Sequence, residues 1–181
     1  MDEQVLSLAR RRIAVSLTER REGLAREGAR IAAQFSARGT LHSSMYCTAI
    51  LDLCVQEADR RAQLIWQELA RVIGSLNTPP TPDLAREMRA EVERHLPLEL
   101  TQMVQPLETM VPNMIERLNR GVQHAITKAS ADIDLFVASM QRRVAQGEAP
   151  GSAAMTVLNI HRPVGAVLHD RHPDGAPLEA R

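Results

Sequence analysis

With 181 residues the chain has room for one domain and a tail, and at 44% apolar and 24% charged residues it has the balance of a globular protein. Aromatic residues make up only 2% (Phe35, Tyr46, Trp66 and Phe136), which argues against the stacking platforms used for sugars and single-stranded nucleic acid. The 22 basic side chains balance 22 acidic ones, so no net field draws in nucleic acid or an anionic membrane.

The N-terminus is acidic at Asp2 and Glu3 and leads into no long apolar run. Neither a signal peptide nor a membrane span is expected, and the expected location is the cytoplasm. Lys128 is the single lysine among many arginines, a bias typical of a GC-rich bacterial genome.

Residues 2–37 read as one helix. Leu6, Ile13, Leu17, Leu24, Ile31 and Phe35 recur at near-multiples of 3.6 and share one stripe. Gly23 and Gly28 lie on or beside it, where a neighbouring helix could approach closely, and Gly39 supplies a C-terminal stop. The same segment carries Arg10, Arg11, Arg12, Arg20, Arg21, Arg26, Arg30 and Arg38. They read either as a phosphate-tracking stripe or as a solvated face with helix-spaced ion pairs.

Residues 42–76 predict a second helix with a wide stripe from Tyr46 and Ile50 through Ala58, Ile65 and Leu69 to Leu76. The link around Gly39, Thr40 and Leu41 is short enough to force the two helices antiparallel. Each should be roughly 50 Å long. Cys47 and Cys54 are seven residues apart, roughly 10 Å along a helix axis, which excludes a disulfide between them. They read as buried thiols in a reducing compartment.

The run from Asn77 to Pro82 breaks the chain. A third helix, capped by Thr81, should carry Leu84, Met88 and Val92 and end near Leu96 and Pro97. Pro97, Pro106 and Pro112 then break the helical stretch over 97–112. Met103, Met110 and Met114 are spaced so that they would share a face if this stretch were locally helical. Such a face would be an adaptable groove for a partner helix, or gap filler in a kinked core helix. A last helix over about 113–146 shows the cleanest period, from Ile115 and Leu118 through Ile126 and Phe136 to Val144.

Gly147 to Ser152 reads as a linker. Met155 to Ile160 is a β-prone run, Pro163 to Leu168 a possible hairpin partner, and the sequence from His169 onward has the composition of a disordered tail. Asn159, Ile160, His161, Arg162, Pro163, Val164, Gly165, Ala166 and Val167 together resemble the glycine-and-valine C-terminal element of some uncharacterised bacterial helical proteins. The resemblance implies a bacterial origin and a strand-forming tail, although Leu168, His169, Asp170 and Arg171 depart from the pattern.

Arginine followed by histidine after four to six residues resembles the signature of HEPN ribonucleases, which are helical bundles. Arg89 with His95, Arg117 with His124, and Arg162 with His169 satisfy it, about as often as chance supplies. Leu118 stands where the family commonly has a polar residue. The resemblance implies metal-independent RNA cleavage by an Arg and a His converging in a cleft. His161, His169 and His172 cluster near Asp170 and Asp174, either as metal ligands or as solvated side chains. No sequence motif asks for a cofactor or metal.

The expected fold is therefore all-α. It is an up-and-down bundle of about four helices over 1–146, dominated by the long antiparallel hairpin and with its third helix broken by proline. A flexible, β-prone or disordered tail over 147–181 should follow. Leu24, Ile65, Ile126 and Phe136 should be buried. The expected function is a non-enzymatic, self-associating interaction or scaffold module whose partner surface uses Met103, Met110, Met114, Val157 and Val164. The alternatives are a HEPN-like ribonuclease using Arg117 and His124, or a nucleic-acid-binding helix pair.

Overall fold

The computed structural model describes residues 1–96 and 98–160, and is all-α with no strand among them. Helix α1 spans Glu3–Ala37 and α2 spans Ser44–Ser75. Helix α3 runs Leu84–His95, α4 Leu98–Val104 with a 3-10 turn Gln105–Leu107, α5 Met114–Ala145 and α6 Pro150–Ile160. The helix ends follow local chemistry. Asp2 Oδ1 accepts the Gln4 N–H at 3.1 Å and Ser43 Oγ the Tyr46 N–H at 3.2 Å, each satisfying an orphan donor of a first turn. Gly39, at φ 65°, takes up the left-handed turn that stops α1. Thr81 is not the cap of α3, which begins at Leu84. At α5 the capping group comes from further back, for Glu108 accepts the N–H groups of Asn113 and Ile115 at 2.9 Å.

The legs alternate in direction. Arg12 pairs with Glu68 and Arg20 with Glu57, so α1 and α2 are antiparallel. Arg10 meets Glu91 and Arg21 meets Glu99, which sets the broken leg α3–α4 alongside α1 in the same direction. Lys128 meets Asp59, Asp132 meets Gln63 and Phe136 meets Trp66, so α5 descends with α2. Helix α6 climbs back along α2, with the Gly151 N–H donating to Asn77 Oδ1 at 2.7 Å and Met155 lying against Gly74.

Every other helix touches α2, and 17 of its 32 residues are buried, against four of 35 in α1. The core is therefore built around α2, while α1 lies at the edge. Leu24, Ile65 and Phe136 are buried as their spacing predicts, but Ile126 is only half-buried. Close approach is set by Gly121, and by Gly151 where a Cβ would stand 2.5 Å from the Gly74 carbonyl oxygen, rather than by the glycines of α1. A Cβ at Gly121 would stand 2.8 Å from Val55, whereas Gly23 has open space around it and Gly28 meets only the tip of Met103.

Residues 155–160, expected as a β-prone run, form the second half of α6. Ala153, Ala154, Val157 and Leu158 repeat at helical spacing, Pro150 occupies the first turn where its missing N–H costs nothing, and the resulting stripe is buried against α2 and α5. The boundary expected at 146 and 147 is thus only a turn, and residues 150–160 belong to the bundle. Val164, the possible hairpin partner, the disordered tail, the histidine cluster and most of the run carrying the C-terminal resemblance lie outside the described residues, as does Pro97. Val157 is 1% exposed, so Val157→Asp would bury an unpaired carboxylate. It should lower urea stability by roughly 3–5 kcal/mol. A loss below roughly 0.5 kcal/mol, the size typical of surface substitutions, would show that α6 is not part of the core.

Candidate functional site

Charged residues that fall on buried faces must find partners or forfeit hydration worth several kcal/mol. Four do so here: Glu57, Arg61 and Glu68 on α2 and Glu91 on α3. Their partners are largely the arginines of α1. Arg10 makes a two-pronged contact with Glu91, Nη2 to Oε1 at 2.7 Å and Nε to Oε2 at 3.1 Å. Arg12 Nε donates to Glu68 at 2.9 Å, and Arg20 holds Glu57 through both Nε and Nη2. Arg21 and Arg30 are held by Glu99 and Glu27. Half of the α1 arginines, Arg10, Arg12, Arg20 and Arg21, are thus turned to account between helices, which leaves no continuous free phosphate track.

The network opens into a cleft of about 220 Å³ between α1, α2 and the α3–α4 break. Its walls include Arg21, Arg61, Arg94, His95 and Glu99. Arg61, 3% exposed, donates from Nε to Glu57 at 3.0 Å and from Nη1 to Glu99 at 3.2 Å. Its Nη2 is buried and has no hydrogen-bond partner among the described residues. Nε2 of His95 is in the same position, 3.5 Å from Glu91 Oε2, beyond a good hydrogen bond. Burial pushes the His95 pKa down, opposed by the charge of Glu91. The hydrogen bond from Arg10 holds the Glu91 carboxyl below its usual range against the opposing effect of burial, and Arg21 does the same for Glu99.

The residues singled out by sequence fall elsewhere. Met114 is buried in the core, Met103 is half-buried against it and Met110 is exposed in the turn beyond the 3-10 segment. Pro112 and the left-handed Asn113 (φ 65°) separate them, so they form no shared groove. Val157 is a core residue and not a partner surface. Arg117 and His124 are both exposed on α5. His124 lines a shallow cleft with Asp59 and Lys128, and Arg117 is not in its wall. Arg89 is drawn away from His95 to Asp134. Cys47 and Cys54 are free and buried, and burial pushes the Cys54 thiol up to about 11, which makes it a poor nucleophile.

Sequence reasoning missed Glu57, Arg61 and Glu68. Their spacing of four and seven places them on one stripe beside the apolar face of a helix that has little outer surface, and that was the available signal. No described helix is long and apolar enough to cross a membrane, and no three metal-ligating side chains converge among the described residues. Compared with protein-family models, curated proteins and solved structures, the chain matches none.

The lowered Glu91 and Glu99 values set the sign of an acid response. A carboxyl whose pKa is lowered by folding contributes stability that is complete above its unfolded value of 4.5 and is lost as pH falls through the folded value. Glu91→Gln should therefore melt well below the wild type at pH 7, with the gap closing once the pH drops under 4.5. A gap that is the same at both pH values would show that the Arg10–Glu91 contact contributes no charge-dependent stability.

Proposed function

We propose that this chain is a non-enzymatic helical module that self-associates through the outer face of α1. The observation that carries the reading is a stripe left uncovered on that edge helix. Leu8 and Val15, two helical turns apart, are 40% and 62% exposed. Arg11, Arg12 and Ser16 border them in an open groove. A second copy is favoured over an unrelated partner by the charges on the stripe. Arg11 and Glu19 are exposed on the same face and carry no ion pair among the described residues. An antiparallel pairing of two α1 helices about Val15 places residues four before it opposite residues four after it. Arg11 of each copy then faces Glu19 of the other, twice, around a Val15–Val15 contact. Such self-complementarity is what a two-fold interface requires.

Neither alternative gains comparable support. A nucleic-acid surface would need the α1 arginines free, and five of the eight are held by glutamates. A ribonuclease centre would need Arg117 and His124 to share a cleft.

Sedimentation equilibrium at tens of micromolar should give a mass near twice the 20.1 kDa of the chain. Val15→Glu, at an exposed position, should halve it without changing the helical signal. Arg11→Glu should weaken the dimer and Arg11→Glu with Glu19→Arg should restore it. A wild-type mass of one chain, or a dimer indifferent to all three variants, would contradict the reading.

A further inference from the structure

The cleft at the α3–α4 break has a charge balance that its own pairs leave incomplete. Arg10, Arg20, Arg21, Arg61 and Arg94 gather around Glu57, Glu91, Glu99 and, at the outer edge beside Arg10, Glu3, so five guanidinium groups meet four carboxylates. All the carboxylates are engaged from the protein side, and the surplus is cationic. Within the walls, Arg61 Nη2 is a buried nitrogen with no hydrogen-bond partner among the described residues, and His95 Nε2 has only the Glu91 carboxylate at 3.5 Å. Leaving a charged donor buried and unmatched is costly, and the groups that match it best are anionic oxygens.

We propose that this cleft binds a phosphate group. Arg61 offers a single remaining prong from the depth of the cleft, while Arg21 and Arg94, each more than half exposed, reach it from the mouth. Donors arriving one at a time from several directions suit the tetrahedral oxygens of phosphate better than a planar carboxylate, which favours a two-pronged fork. A volume of about 220 Å³ accepts a phosphate with a small attached group. The cleft therefore fits free phosphate or a small phosphorylated metabolite. The site is independent of the outer face of α1, so it stands or falls separately from self-association.

Isothermal titration of the full chain with inorganic phosphate, and in parallel with a simple sugar phosphate, at low ionic strength and matched chloride, tests the proposal. Saturable binding is expected, weakened at least tenfold by Arg94→Gln and by Arg61→Lys, and partly recovered in Arg94→Lys. The imidazole resonances of His95 should shift on saturation. Tighter binding of the sugar phosphate assigns the site to a phosphorylated metabolite, and equal binding assigns it to free phosphate. Arg94 projects from the surface, so Arg94→Gln should keep the wild-type melt even if Arg61→Lys does not fold. Binding of both ligands weaker than about 10 mM, or equal binding by wild type and Arg94→Gln, would overturn the proposal.

Discussion

A guanidinium and a carboxylate four residues apart in the middle of the most enclosed helix, Arg61 and Glu57, impose the constraint to which the rest of the molecule answers. Each is almost wholly removed from water, and ions in that position cost several kcal/mol unless their remaining hydrogen-bonding capacity is met. Glu57 is met from α1 by Arg20, and Arg61 from α4 by Glu99. These contacts can be made in only one alignment of the helices. Apolar stripes alone would let α1 slide by a turn along α2 at modest cost, whereas a slide would strand both buried ions. Glu68 with Arg12 and Glu91 with Arg10 repeat the device nearer the N-terminal end of α1.

This explains why a helix as polar as α1 belongs to the bundle. Only Val5, Ala9, Ile13 and Leu24 are fully buried along its 35 residues, with Leu17 and Ile31 partly buried against the core and Phe35 meeting Tyr46 edge-on. Its attachment combines that apolar contact with the charge pairs that Arg12 and Arg20 make to Glu68 and Glu57. The opposite face of α1 is left with Leu8 and Val15 in solvent, and the same arrangement that fixes the inner face presents that outer stripe on a rigid rod.

Much of this was legible in the residues. The 3.6-residue period located α1, α2 and α5 to within two residues at each end, and the prolines located the broken third leg, because both signals are local. Helix α6 was not read, since Met155 to Ile160 is rich in residues that favour strands when taken alone. The decisive partners of that run, Ala153 and Ala154, are small and lie before it, and only contact with α2 and α5 favours the helix. The methionines misled for a related reason, as their spacing supposes a continuous helix across Pro112 and the left-handed Asn113. The ionic network was the hardest to see. Arginine on α1 and glutamate on α2 look like ordinary solvated residues until the antiparallel register sets Arg12 against Glu68 and Arg20 against Glu57.

The most direct test of this account is a mutant cycle on the buried pair, read by urea unfolding. Glu57→Leu alone leaves the buried Arg61 with Glu99 as its remaining partner and should cost roughly 3–5 kcal/mol. Glu57→Leu with Arg61→Met removes both buried charges and should recover most of that loss, because an apolar pair of similar volume fills the site without unmet ions. A single-variant loss below roughly 0.5 kcal/mol, or a double variant whose loss is the sum of the two singles, would contradict the claim that this pair governs the alignment of the bundle.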